Sequence, residues 1–303
     1  MKIGLVLLIQ DDNLGNPRRY AALHELAAQA EAAGFDSLWL YDHLLHYSKD
    51  ESTIGIWECW TILSALAEAT RRVELGTLVL CNQFRNPALL AKMAITLDEV
   101  CDGRLTLGLG AGWNEPEFKA FGYPFDHRVD RFEEALQIIK PLLREGHVDF
   151  RGKYFQAPNC EIKPRGPRPG GPPLLIAGFG PRMLRLTATY ADSWNAGHLS
   201  QPATLVESRK PLERACAEVG RDLASLEVTV TLPIGYPDLG DPPTAFKYAL
   251  TNSPEELAAI FKGYESLGVG HLMLHVEPQI PETVSRLTEA LHYYRTILAR
   301  NSL

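Results

Sequence analysis

Along this chain, short runs rich in β-branched and other apolar residues alternate with longer stretches whose apolar positions return every three or four residues. Runs at Lys2–Leu8, Asp36–Tyr41, Val73–Leu80, Arg104–Leu109, Leu174–Ala177, Asp192–Ala196, Leu226–Leu232 and Gly270–Val276 read as strands. The periodic stretches between them read as helices at Arg18–Ala33, Trp57–Thr70, Pro87–Cys101, Asp126–Arg144, Pro181–Tyr190, Pro202–Val219, Pro254–Leu267 and Glu282–Arg300. In the first helix Leu23, Leu26, Ala27 and Ala30 share one face, and Gly34 follows as a stop. Asp126 is placed to cap its helix, and Ser253 with Glu256 forms a capping box. Eight strand–helix units over 303 residues predict a closed (β/α)8 TIM barrel in one domain, 1–303. A doubly wound sheet would use fewer strands or show a linker.

The regularity breaks at 145–173. HVDFRGKYFQ reads as a short hairpin, and the prolines crowded from Pro164 to Pro173 exclude a helix there. The segment is either a surface insertion or a flap over the mouth of the barrel.

Composition narrows the function. A hydrophobic share of 46% and a charged share of 22% suit a soluble protein with a large core. Net charge is −7 without a basic run, which gives a nucleic-acid role no support. Cysteines 59, 81, 101, 160 and 216 are scattered without a CxxC pair, as expected in a reducing cytoplasm. The opening MKIGLVLLIQDDN is too short to span a membrane and reads as the first strand rather than a leader. HExxH and other carboxylate–histidine metal signatures are absent from the sequence, and so is the GxSxG of a serine hydrolase.

Ligands of parallel α/β folds sit where strands end, so the loops after the strands carry the candidate chemistry. Asp42-His43 follows strand two: an imidazole there can move protons, with Asp42 tuning it, or it can simply bond to the loop. Gly108, Gly110 and Gly112 leave backbone that a flat ligand or a neighbouring strand can approach closely. Trp113, next along, can stack on a ring or plug the barrel. Gly178-Phe179-Gly180-Pro181-Arg182 leads into a helix, where exposed amides, the dipole and an arginine suit a phosphate. His271 and His275 alternate on strand eight and either reach the mouth or pack inside; Trp39, Trp57 and Trp60 belong to core or interface.

Three ordered blocks complete the picture: GFDSLWLYDH, LGTLVLCNQFRNPALLAKMAITLDEVCDGRLTLGLGAGWNEPEFKAFGYPF and PPLLIAGFGPRMLRLTATYADSWN. With these the chain resembles the luciferase-like family of flavin- or deazaflavin-dependent oxidoreductases. The resemblance implies a barrel holding coenzyme F420, or alternatively FMN, in its mouth. It implies a catalytic role for His43 beside the ring and a phosphate clamp at Gly178–Arg182. It also implies a non-proline cis peptide at Leu78–Val79 backing one ring face. The cofactor-binding set it suggests is Asp42, Leu78, Val79, Gly110, Gly112, Trp113, Gly178, Phe179, Gly180, Arg182 and Asn195. Two positions depart from F420-dependent sugar-phosphate dehydrogenases: Trp113 stands for a glutamate, and Gly197-His198-Leu199-Ser200 for a segment with a lysine. The implied activity is hydride transfer between reduced F420 and a small organic molecule. An FMN monooxygenase served by a flavin reductase, or a cofactor-binding protein without turnover, are the alternatives. The family also implies a homodimer, for which Trp57, Trp60, Ile62 and Leu66 on the second helix are candidate contacts.

Overall fold

The computed structural model describes residues 1–12, 15–47, 52–239, 248–250 and 253–298. Part of the proline-rich loop 236–243 and the end of the last expected helix, at 299–300, lie outside these residues. Eight parallel strands form the scaffold: β1 (Lys2–Val6), β2 (Ser37–Leu40), β3 (Glu74–Thr77), β4 (Leu105–Gly110), β5 (Leu174–Ala177), β6 (Ser193–His198), β7 (Glu227–Gly235) and β8 (Val269–Glu277). Each pairs with its neighbours in chain order; β8 returns to β1 through Lys2↔His271, and β4 meets β5 through Leu174↔Leu107, so the sheet closes. The TIM barrel expected from the alternating pattern is present. Its strands are buried on both faces, which is why they read as continuous apolar runs.

The helices are α1 (Tyr20–Ala32), α2 (Cys59–Ala69), α3 (Pro87–Val100), α4 (Glu115–Ala120), α5 (Arg128–Arg144), α6 (Pro181–Tyr190), α7 (Pro202–Glu218), α8 (Pro254–Ser266) and α9 (Pro281–Tyr293). Asn86 starts α3 by accepting from the amides of Ala88 (3.0 Å) and Leu89 (3.1 Å), with Pro87 in the first turn. Ser253 Oγ likewise accepts from the Glu256 amide, as the capping pattern predicts. Asp126 does not cap α5; left-handed His127 (φ 50°) holds the N-cap position without a side-chain cap bond, while Asp126 pairs with Arg131. The short helix α4 was not legible from periodicity. Leu66 is fully buried and Trp60 is 8% exposed, so both belong to this chain's own core rather than to a dimer contact; Trp57 stays 47% exposed.

Inside the barrel Trp39 fills the axis. A Cβ on Gly76 would meet its ring at 2.1 Å, so the glycine on β3 exists to admit the indole. The Trp39 indole N–H donates to Ser37 Oγ (2.7 Å), and that hydroxyl bonds to His271 Nε2 (2.7 Å). His271 therefore packs inside, near the strand starts. Burial, with Lys2 and the chain amine adding to it, pushes its pKa down to about 3.

The 145–173 segment is a hairpin of His147–Arg151 and Gln156–Glu161 that packs along α5, followed by a proline-rich return. Its second strand runs beyond the expected stretch. Glu134 on α5 accepts from the amides of Lys153, Tyr154 and Phe155 at 2.7–2.9 Å and pins the turn to the outside of that helix. It is an insertion whose turn packs at the start of α5, with Tyr154 against His127 and Arg131. No helix among the described residues is long and apolar enough to cross a membrane.

Candidate active site

The mouth of the barrel is built from the loops after the strands. As β2 ends, Asp42 and His43 part company. Asp42 is 3% exposed and turns toward β3's loop, where Arg85 grips it at 2.7 and 3.1 Å and the Cys81 amide donates to it at 2.9 Å. Burial pushes this carboxyl up, and Arg85 pulls it back down. Arg85 also reaches Glu58, the cap of α2, so the group ties three loops together. Asp42 is thus turned away from His43, and the expected tuning by its neighbour in sequence does not occur.

His43 is held instead by Glu117, from α4. Its Nδ1 lies 3.1 Å from Glu117 Oε1, and the amides of Leu44 (2.9 Å) and Leu45 (3.4 Å) donate to Oε2. Glu117 is 1% exposed. An acceptor-only carboxylate on Nδ1 assigns the proton of the neutral ring to that nitrogen, which leaves the Nε2 lone pair without a protein partner among the described residues. Asn114 reinforces the loop by donating to the Leu45 carbonyl (2.9 Å). Above the imidazole, Trp113 is 65% exposed and meets His43 and His46 edge-on at 5.5 and 5.8 Å. Burial, then the neighbouring His43, hold His46 below its ordinary pKa.

Beside this wall β3 is interrupted. A non-proline cis peptide joins Leu78 to Val79, where the resemblance implied one, and the chain re-pairs with β4 at Leu80–Cys81. Both residues rest on the axial cluster of Val6, Trp39, Leu175 and Met273. The spaced glycines of β4 are explained by this approach: a Cβ on Gly110 would meet Val79 at 2.9 Å, and one on Gly112 would meet Cys81 Sγ and Phe118 at 2.6 Å. They admit protein atoms first.

Across the mouth, Phe179 is 60% exposed and the space beside Gly180 is open. The first amides of α6 have no acceptor within the helix, and Pro181 has none to offer. Arg182, by contrast, is committed to Asp130 and to Glu133 (2.5 Å). Asn195 is 2% exposed and lies below the mouth; its amide donates to Thr229 and its oxygen accepts from the Gly197 amide (2.9 Å). The structure therefore brings His43, Trp113, Leu78, Val79, Gly110 and the Gly178–Arg182 turn to one rim, and places Asp42 and Asn195 behind it.

Sequence reasoning missed Glu117, Arg85 and Glu277, the partner on β8 of the His275 it had left open between mouth and interior. There His275 Nε2 lies 2.9 Å from Glu277 Oε1, which also accepts from Tyr248 (3.2 Å). His198 on β6 stands edge-on to His275 at 5.5 Å. The available signals were an acid next to an apolar residue in EPEF, and two polar residues spaced to share one face in HVE.

Residues 1–236 match the family model described as luciferase-like monooxygenase. The chain is 26% identical over 296 residues to an F420-dependent glucose-6-phosphate dehydrogenase from Amycolatopsis mediterranei, covering 84% of this chain and 87% of the relative. It is 32% identical over 209 residues to a pyrimidine monooxygenase from Caulobacter vibrioides, covering 66% of this chain and 58% of that protein. In fold it is similar to an F420-dependent secondary alcohol dehydrogenase solved with an F420–acetone adduct, with a TM-score of 0.79 and 23% identity over 97% of this chain and 99% of the other.

Proposed function

Because the chain belongs to the luciferase-like monooxygenase family, we propose that it is a coenzyme F420-dependent oxidoreductase that moves a hydride between the reduced deazaflavin and a small organic substrate. The observation that carries this reading is the His43–Glu117 pair at a rim whose other half is apolar and glycine-rich. That rim fits a flat ring with an anionic tail. Leu78, Val79 and Gly110 offer a platform, and Trp113 and Phe179 are aromatic faces left open to solvent. Gly178, Phe179, Gly180 and Arg182 would hold the tail through the amides that open α6. Arg182 contributes less than its sequence position implied, because Asp130 and Glu133 already balance its charge. Asp42, Gly112 and Asn195 act behind this surface by fixing loops.

The deazaflavin, when bound, supplies the hydride chemistry. The chain supplies orientation and a proton. His43 Nε2 accepts the substrate's proton in oxidation and returns it in reduction, while Glu117 balances the imidazolium charge and keeps the ring aimed. Trp113 stands edge-on to the imidazole at 5.5 Å and would close over it when a ligand fills the mouth.

The second reading, an FMN monooxygenase with a partner reductase, is favoured by the 32% identity to a pyrimidine monooxygenase. Anaerobic turnover tests the choice. Oxidation of reduced F420 by a panel of carbonyl compounds without oxygen supports the first reading, whereas activity only with reduced FMN and oxygen supports the second. A homodimer is part of the proposal, with Trp57, just before α2, and Ile62 on it as the residues still available for contact.

A further inference from the structure

Between β2 and β8 the rim has a polar stretch that the cofactor reading leaves unused. It runs from Tyr41 on the β2 side, past Arg18 in the β1 loop, to Glu277 and His275 on β8. Arg18 is half-buried and its guanidinium makes one hydrogen bond among the described residues, from Nη1 to the Gln279 carbonyl (3.1 Å). Its Nε is buried with no partner among the described residues. Burial lowers its pKa, and Tyr41, Asp12 and Glu277 are near enough to pull the other way. A guanidinium carries five donors in a planar fork, and leaving a buried one such as Nε unmet costs free energy unless another acceptor arrives.

Its setting is built rather than accidental. Gln279 accepts from the Leu8 amide (2.9 Å) and donates to the Val6 carbonyl (2.7 Å), which fixes the carbonyl that orients Arg18. On the other side Trp57 donates its indole N–H to the Arg18 carbonyl (2.6 Å). Opposite stands Glu277, 7% exposed, bonded to His275 and Tyr248.

We propose that Arg18 is the substrate anchor of this mouth, its uncommitted N–H edge receiving a carbonyl or carboxylate oxygen of the substrate, with Glu277 setting an upper limit on the substrate's negative charge. This rests on the oxidoreductase reading above and names its substrate class: a small carbonyl compound or monocarboxylate, not a phosphate ester. A phosphate dianion beside Glu277 and Asp12 would face two carboxylates with one guanidinium to offset them. A single carbonyl or carboxylate oxygen matches the one fork on offer.

The test uses cofactor-loaded protein labelled with 15N-arginine. The Arg18 Nε–H resonance, assigned through Arg18→Met, is followed while propionate and propionamide are added separately. A saturable shift with either probe, together with at least tenfold weaker probe binding by calorimetry in Arg18→Met, supports the assignment, provided cofactor affinity stays within twofold. Response to propionate alone identifies a carboxylate substrate; response to both identifies the carbonyl. Arg18→Lys, which keeps the charge but not the fork, separates lost recognition from lost folding and should also bind the probes more weakly. No shift with either probe, undiminished binding in Arg18→Met, or a cofactor affinity that falls in step would overturn it. Should neither F420 nor FMN bind the wild type, the oxidoreductase reading fails by itself, and the same titration on the unliganded chain still judges Arg18.

Discussion

Glu117→Gln is the perturbation that separates a working His43 from a merely present one. In the native site, Glu117 accepts three donors: His43 Nδ1 at 3.1 Å, the Leu44 amide at 2.9 Å and the Leu45 amide at 3.4 Å. Glutamine keeps an oxygen for the amides but turns an NH2 group toward Nδ1, which must then be the unprotonated nitrogen. The proton moves to Nε2 and the ring presents a donor where a base is needed. Mismatching one buried hydrogen bond costs stability of about 1–3 kcal/mol, and the fold tolerates that. Turnover is another matter, since losing a positioned general base costs roughly 10²–10⁴-fold. In the serine protease triad, replacing the carboxylate behind the histidine by its amide lowers kcat by about 10⁴ through the same wrong tautomer. Two readouts settle it: steady-state kcat, and the 15N shifts of the His43 imidazole, which report which nitrogen holds the proton. A variant with kcat within about threefold of wild type and an unchanged tautomer would refute the assignment of Glu117, and with it the base role of His43.

Other consequences follow from the same contacts. Replacing His43 with alanine should lower turnover by roughly 10²–10⁴-fold while leaving cofactor affinity nearly intact, as equilibrium titration would show. Arg85→Met strands the buried Asp42 carboxylate and should cost about 3–5 kcal/mol in urea unfolding, whereas the Arg85→Met/Asp42→Asn double variant should recover part of that loss. His271 is held neutral with its pKa lowered from 6.5 to about 3. The unfolded chain therefore binds its proton first, and this contribution to stability is whole above pH 6.5 and lost as the pH falls toward 3. His271→Gln should flatten the stability–pH curve across that window in denaturant titrations. Gly76→Ala drives a methyl into the Trp39 ring and should destabilise by about 1–3 kcal/mol or more, with a shift in tryptophan emission.

The barrel was legible because each strand is covered on both faces and each helix shows an apolar stripe, and both are local patterns. Most element ends moved by a residue or two; β7 runs three residues past its expected end to Gly235, and the last helix is α-helical only to Tyr293, with a π-helical turn over Tyr294–Leu298. Val73–Leu80 reads as one strand, but the chain breaks at Leu78–Val79, where Gly110 makes room for Val79. The site was legible only in part, for a physical reason: its key partners are far apart in sequence. His43 and Glu117 are 74 residues apart, and Asp42 and Arg85 are 43 apart. Adjacency suggested that Asp42 serves His43; packing gave the two side chains opposite directions. Arg182 was likewise read without Asp130 and Glu133, which only the approach of α5 to α6 brings against it.

The most direct test of the whole account is an equilibrium titration of the purified chain with F420 and with FMN, followed by absorbance and fluorescence. The account expects saturable uptake of one tricycle with perturbed spectra, F420 more tightly than FMN, and weaker uptake when Phe179 is replaced by aspartate. A chain that leaves both spectra unchanged at saturating protein would contradict it.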